Sequence, residues 1–442
     1  MTLWGACVSG TRIVTRAPSE TTAALTLAAD GASAPNLSVD GPERVGIAAF
    51  GVSGVALEAA VVADAAVVGP YMGGGSLLAS DAVVRQTSAW LSDGGFGRGI
   101  SVQAGAQLVL RRVALDDNRD DGIFAEGVGT SVEASELAVR HTREQTSDGA
   151  SGYGVRVQSG ARLVLAGDAV EHSRDFGIFA DGAGTIVEAS DVVVRGTRDR
   201  AVDGAIGTRP DVGAGAHLTL ARSLVADNRA PGAFISLTRA LVDDSREGRN
   251  LAGATDVSLD PSSLVVRDTS PLPSDGTGGA GVLAANGAHV VIGGARTERS
   301  RWVGIVCTKG ASIDARDVVV SGVEASRCPV GVCTGDTGGF GIVAIFGGAV
   351  AATRFVVEGA TVCGVMVGRN SATPTGFDLE ASVISRSTID PCVQQDGFDT
   401  SRLQQGVEYR ELGVPLRATR YELPSDGPAA LPTERAPRWG IT

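Results

Sequence analysis

Apolar and polar positions alternate along this chain in short runs. Ala106-Gln-Leu-Val-Leu and Ser190-Asp-Val-Val-Val-Arg are representative: period two, rich in Val and Leu, and interrupted by Gly within a few residues. Runs of about four residues with that period read as half-buried strands, too short and too Gly-broken for helices. A single strand with one apolar face cannot stand alone, so the runs must stack on one another.

The runs also recur. Gly99-Ile-Ser-Val-Gln-Ala-Gly-Ala-Gln-Leu-Val-Leu returns as Gly154-Val-Arg-Val-Gln-Ser-Gly-Ala-Arg-Leu-Val-Leu, and Gly122-Ile-Phe-Ala-Glu-Gly as Gly177-Ile-Phe-Ala-Asp-Gly, each 55 residues later. Arg85, Arg140 and Arg195 keep the same step, and Gly232-Ala-Phe continues the series before the register breaks; it resumes at Arg267, Gly281 and Gly304. Each unit splits in two, because the glycines stand 23 residues apart from 99 to 122 and from 154 to 177 but 32 apart from 122 to 154. A coil of about 23 residues therefore alternates with a coil carrying an insertion. Stacked at about 4.8 Å per coil, equivalent strands form parallel sheets, and the chain is expected to be an all-β, single-domain parallel β-helix, a solenoid whose interior is the core. Residues 46–412 form that domain, 1–45 an irregular N-terminal coil or cap, and 413–442 a Pro-rich tail or cap.

Stacking turns sequence positions into columns. Thr87, Asn118, Thr142, Ser173, Thr197, Asn228, Thr269 and Ser300 form one, a ladder of small hydrogen-bonding side chains that satisfies corner backbone groups. The next residue gives a second: Arg119, Arg143, Arg174, Arg198, Arg229 and Arg301, four of them followed by Asp120, Glu144, Asp175 and Asp199. It reads as a solvated stripe of compensated charge, with an anion-binding ridge as the sharper alternative. A third column follows each Gly. Alternation turns Ile123 and Ala125 inward and Phe124 and Glu126 outward; Phe179, Asp181 and Phe234 follow the same parity, with Ser101, Gln103, Arg156 and Gln158 outward on the coils between. Aromatics repeating about 10 Å apart, bordered by amides and charges, form a stacking platform for an extended glycan unless the insertion loops fold over them. The insertions rhyme as well, and present Asp93, Asp148, Asp203, Asp275 and Asp336 in a row. Asp-Gly is ordinary turn chemistry, and one carboxylate every second coil is a poor Ca²⁺ site, so no metal or cofactor is expected.

The unit Val139-Arg-His-Thr142 with its relatives at Arg85, Arg195 and Arg267, the Ser-Asp-Gly insertions, the Asn118-Arg-Asp corner and Val393-Gln-Gln-Asp-Gly-Phe-Asp resemble the right-handed parallel β-helix repeat proteins of the pectin-lyase-like class. More narrowly, the chain resembles the secreted or surface-attached myxobacterial-type members, which are mostly uncharacterised, over roughly residues 45–412. The resemblance implies a right-handed solenoid in an extracellular or cell-envelope setting. It also implies where an enzyme would show itself, but the Asn-Thr-Asp, Gly-His-Gly and Arg-Ile-Lys motifs of polygalacturonase-like members are absent.

Charge narrows the function further. Lys+Arg 38 against Asp+Glu 50 gives a net charge of −12, which disfavours nucleic acid and anionic lipid, and no apolar run reaches the ~18 residues of a spanning helix. Residues 1–11 lack the basic and apolar regions of a signal peptide. The four histidines share no ligand spacing, and Asp116, Asp117, Asp120 and Asp121 sit at a corner where solvated turn acids are expected. The best catalytic guess is Glu126 and Asp181 with Arg156 between them, as in a lyase or glycosidase acting on an acidic glycan; the repeat explains the same positions without catalysis. Five of the six cysteines lie in the C-terminal third. Disulfides among Cys328, Cys333, Cys363 and Cys392 are expected, with pairing open, and point to an oxidising compartment. The resulting expectation is a monomeric, non-enzymatic scaffold or binding protein whose partner is a polysaccharide or a cell-surface molecule.

Overall fold

The computed structural model describes residues 1–15, 19–41, 44–198, 216–222, 224–226, 233–235, 257–259, 265–267, 280–284, 289–326, 337–368 and 374–411. Strands dominate, and the described residues contain no α-helix, only a 3₁₀ turn at Thr400–Leu403. The chain divides into two compact units, Met1–Gly207 with Gly213–Ala216, and Thr208–Val212 with His217–Thr442. Each is a parallel β-helix.

In the first unit every coil contributes three strands. The first face runs through Ile100–Gln103, Asp121–Glu126, Tyr153–Gln158 and Ile178–Asp181; the second through Gln107–Arg111, Ser131–Ser135, Arg162–Ala166 and Ile186–Ser190; the third through Val83–Arg85, Ala114–Asp116, Ala138–Arg140, Ala169–Glu171 and Val193–Arg195. The long strands Arg44–Glu58 and Pro70–Ser80 supply both first and second faces. All these neighbours pair in parallel, with Ile123 opposite both Ile100 and Val155. The 55-residue repeat is thus two coils. Stacking is already in place within the first 45 residues, where Arg12–Val14 pairs with Ser38–Asp40.

The parity read from the sequence holds. Ile100, Val102, Ile123, Ala125, Val155 and Val157 are buried inside the coil. The recurring glycine has a steric cause: a Cβ on Gly122 would lie 2.5 Å from Val139 Cγ1 and would collide with the carbonyl oxygen of Gly154. The same column extends back to Gly46 and Gly69. The polar column is buried at Thr87, Asn118, Thr142, Ser173, Thr197 and Ser300. It is a hydrogen-bonded ladder only at its first step, where Thr87 Oγ1 donates to Asn118 Oδ1 at 2.9 Å and Asn118 Nδ2 donates to the Val84 carbonyl. The buried hydroxyls of Thr142, Ser173 and Ser300 have no hydrogen-bond partner among the described residues, and Asn228 and Thr269 lie outside those residues. On the outside of the third face, charge alternates coil by coil in register: Arg85, Asp116, Arg140, Glu171, Arg195.

The second unit repeats the arrangement with Ala280–Ala284, Val303–Cys307, Phe340–Ala344, Cys363–Val367 and Cys392–Val393 on its first face. Here the outward positions are apolar. Trp302, Val306, Phe340, Val343 and Met366 are buried together in a second core outside the coil. The Cys363–Cys392 disulfide, with Cα atoms 6.2 Å apart, belongs to it. Cys307 is free and buried, and Cys7 is free and exposed. Cys328 and Cys333 lie outside the described residues, as does 412–442.

Candidate functional site

The first face of the first unit carries two outward columns, fixed by strand register. One is Tyr71, Ser101, Phe124, Arg156, Phe179; the other is Phe50, Gly73, Gln103, Glu126, Gln158, Asp181. Every outward residue read from the sequence on these coils falls in one or the other. Their environments differ, and that difference revises the expected site.

The first column is buried at Ser101 and Phe124 and half-buried at Tyr71, Arg156 and Phe179. Phe124 is only 3% exposed, with the guanidinium of Arg98 3.6 Å above its ring centroid and that of Arg156 at 4.8 Å. Phe179 stacks on Tyr153 at 5.2 Å and meets Phe176 at 5.3 Å. The expected open platform is therefore corrected at Phe124, which is closed beneath two guanidinium groups, while Phe179 is half-buried in an aromatic cluster. The insertion loops contribute to the closure over Phe124: Phe96 lies under Arg98 and against Trp90, and Thr146 and Ser147 donate to the Gly94 carbonyl, which joins the two loops.

Two buried acids hold the arginines. Arg98 Nε lies 3.0 Å from Asp120 Oδ2 and 3.1 Å from Asp121 Oδ2, and Arg156 Nη2 donates to Asp121 Oδ2 at 2.8 Å. Both carboxylates are buried, against the expectation of solvated corner acids. Burial, against the opposing pull of Arg156, pushes Asp121 up to about 8, with the Asp120 charge adding to the rise. Burial also works against ionising Asp120, but Arg156 and Arg98 overcome it and hold that carboxyl below its ordinary range. The same cluster therefore pushes its two carboxyls in opposite directions. Arg156 is committed to this cluster, so the imagined arrangement with Arg156 between Glu126 and Asp181 does not form; the residue between them in register is Gln158.

The second column is the open one. Phe50 is 60% exposed and its ring lies 5.4 Å from that of Tyr71. Gly73, next in the column, leaves room for both rings, since a Cβ there would stand 3.2 Å from Tyr71 Cε1 and 3.3 Å from Phe50 Cδ1. Tyr71 Oη then donates to Gln103 Oε1 at 3.4 Å, and Gln158 Nε2 to Glu126 Oε1 at 2.8 Å. Gln103, Glu126, Gln158 and Asp181 are half-buried, one per coil. The Phe50–Tyr71 pair was missed in the sequence, although the coil step leads from Gln103 back through Gly73 to Phe50.

The loop acids are turn formers. Asp93 Oδ1 accepts from the Gly95 amide at 2.8 Å and Asp148 Oδ1 from the Ala150 amide at 2.9 Å. Asp203, Asp275 and Asp336 lie outside the described residues, as does the side chain of Phe234. No group of three or more His, Cys, Asp or Glu suited to a metal occurs among the described residues, and none of their helices is long and apolar enough to cross a membrane. Two histidines do meet: His141 and His172 stack 5.3 Å apart, with His141 Nδ1 2.9 Å from Asp116 Oδ1. Their 31-residue spacing is the coil step of the polar ladder, which was the signal overlooked. Comparison with protein-family models, with curated proteins and with solved structures finds no match to this chain.

Proposed function

We propose that this protein is a non-enzymatic, extracellular or envelope-associated β-helix, monomeric, that binds an extended polysaccharide along the outward face of its first sheet. The observation that carries the reading is the column itself: the exposed ring of Phe50, with the half-buried Tyr71 of the neighbouring column against it, heads a row of carboxamides and carboxylates, Gln103, Glu126, Gln158 and Asp181. Aromatic faces stack on the apolar faces of sugar rings, and amides and carboxylates take up their hydroxyls. The row follows the solenoid, so the ligand is a chain rather than a compact molecule. The Cys363–Cys392 disulfide favours an oxidising compartment.

The lyase or hydrolase alternative is weaker. Its cation, Arg156, is bound to Asp121, and one oxygen of its carboxylate, Glu126, is bound to Gln158. A glycan array with the full chain and with Phe50→Ala/Tyr71→Ala tests the binding reading. Retention of a polysaccharide by the parent and its loss in the variant is expected; equal retention by both would remove this face. Product release from any polysaccharide in a broad substrate screen would move the balance to the enzyme.

A further inference from the structure

We propose that His141 and His172 form a two-imidazole site for one late first-row divalent cation, Zn²⁺, Cu²⁺ or Ni²⁺, which clips two successive coils of the first unit together. The site is separate from the glycan face and does not rest on it. It is built at the corner that follows the third face. Asp64, Gln86, Asp117, His141, His172 and Gly196 occupy that corner on successive coils, and each is left-handed, with φ between 54° and 69°. His is among the side chains enriched in this backbone region. The His141 amide donates to the Glu171 carbonyl at 3.0 Å and the His172 amide to the Arg195 carbonyl at 2.8 Å. Equal backbone conformation on hydrogen-bonded coils sends the two side chains off in the same direction. Their rings lie 9° from parallel, with centroids 5.3 Å apart.

Both rings keep Nε2 for a ligand. His141 Nδ1 lies 2.9 Å from Asp116 Oδ1. A carboxylate only accepts, so it holds the proton on Nδ1 and leaves the lone pair of the neutral ring on Nε2. The same contact orients the ring and raises its basicity as a ligand. His172 has its Nδ1 edge against Gly196, where a Cβ would stand 2.4 Å from Nδ1 and 2.8 Å from Cε1. The missing side chain at Gly196 is what gives that ring its room. The His141 side chain is 55% exposed and His172 is half-buried, so an ion reaches the pair from solvent. Two nitrogens each about 2.1 Å from one metal stand at most about 4.2 Å apart, and the exposed His141 ring closes that gap by tilting, with the backbone unmoved. Neighbouring acids supply no third ligand. Asp117 pairs with Arg143, and the two oxygens of Glu171 are held by Arg140 and Arg195. Water fills the remaining positions, and imidazole donors select zinc, copper or nickel over calcium and magnesium.

The test titrates Ni²⁺ and Zn²⁺ separately into the full chain by calorimetry and reads bound Cu²⁺ by electron paramagnetic resonance. The left-handed corner calls for asparagine rather than alanine, so the variants are His141→Asn and His172→Asn, each checked for folding by thermal melting. The parent is expected to take up one ion at this pair, with the nitrogen hyperfine pattern of two imidazoles. Either substitution alone should remove that ion at metal concentrations that saturate the parent. His289→Asn, a histidine of the second unit with Nδ1 2.8 Å from Ser312 Oγ, should change nothing. Asp116→Ala should weaken binding about 10–100-fold with the stoichiometry kept, and Asp116→Asn, which retains an acceptor, should recover most of the loss. Ni²⁺ should raise the melting temperature of the parent and leave that of His141→Asn where it was. Two ions on the pair, of which each single substitution removes one, would mean independent histidines and overturn the shared site. Uptake that survives both substitutions together, or no uptake by the parent, overturns it as well.

Discussion

Arg140 and Arg195, 55 residues apart in sequence, hold the two oxygens of a single carboxylate. Arg140 Nε lies 3.0 Å from Glu171 Oε2 and Arg195 Nε 2.6 Å from Glu171 Oε1. The three residues occupy one position on three successive coils, so the repeat places like charges two coils apart and an opposite charge between them. Both arginine side chains are about half exposed, which screens the attraction. Glu171→Ala is therefore expected to cost only about 1 kcal/mol, read as a lower urea midpoint. A double-mutant cycle with Arg195→Ala should return a non-zero coupling; strict additivity would show that the ladder contributes nothing to coil register.

The glycine column predicts a larger effect. Gly122→Ala introduces a Cβ against Val139 Cγ1 at 2.5 Å and against the Gly154 backbone, neither of which can move without displacing a coil. Overpacking of this kind costs about 1–3 kcal/mol, occasionally more. Thermal melting of Gly122→Ala should show a clear loss; a melting point equal to the parent's would mean that the coils are less tightly stacked than these contacts indicate.

Much of this was legible in the sequence for a physical reason: a solenoid turns a one-dimensional period into spatial adjacency. Gly99, Gly122, Gly154 and Gly177 announced the coil, and the Thr87–Asn118–Thr142 series announced its buried polar column, of which Thr87 and Asn118 are the hydrogen-bonded step. Parity correctly placed Phe124 outside the coil, but outside is not exposed. Whether an outward ring meets water depends on what lies over it, and the covering groups, Arg98 and Phe96, come from an insertion whose path no period dictates. Asp121 was misread for the same reason, because a corner acid is solvated only if no loop closes above it. The open end at Phe50 escaped notice because Gly73 interrupts the outward column there.

Three buried acids give the protein an acid-leaning stability profile. Burial raises Asp121 to about 8, Asp390 to about 7 and Asp168 to about 6, the last two against the opposing bonds from the Val365 amide and from the Leu137 and Ala166 amides. A folded-state pKa above the unfolded value means that the folded form binds the proton more tightly. The associated stability is complete below the ordinary carboxylate value of about 4, and it is lost as pH rises toward about 6 for Asp168, 7 for Asp390 and 8 for Asp121. Asp120, shifted the other way, loses its contribution as pH falls below the ordinary range. The urea midpoint should then be higher near pH 5 than near pH 9, and Asp121→Asn should flatten the decline between about pH 7 and 8. A midpoint that rises steadily from pH 5 to 9 would contradict the assignment.

The disulfide of the second unit joins residues 29 apart in sequence. Chain-entropy arguments give about 3–4 kcal/mol for closing a loop of that length. Cys363→Ala/Cys392→Ala is expected to melt well below the parent under oxidising conditions and to match the reduced parent. If reduction leaves the parent's melting point unchanged, the bond is not present in the folded protein or does not restrain its unfolded chain.

The two units fill equivalent outward positions with opposite chemistry, and this makes the ion cluster testable as a functional rather than a stabilising element. Arg98 and Asp121 precede the column glycines Gly99 and Gly122, as Val303 and Phe340 precede Gly304 and Gly341; Arg156 follows Gly154 at the position where Val306 and Val343 follow theirs. The second unit keeps its fold with these apolar side chains buried. Removing one partner from the cluster, as in Arg156→Ala, leaves a buried carboxylate less compensated and is expected to cost about 3–5 kcal/mol. Replacing it together, as in Arg98→Val/Asp120→Asn/Asp121→Val/Arg156→Val, should restore the urea midpoint to the parent value or above, because a packed apolar group pays no desolvation penalty. If the fourfold variant is instead as unstable as Arg156→Ala, the cluster is what holds the two insertion loops over Phe124, and its apolar counterpart in the second unit is no substitute for it.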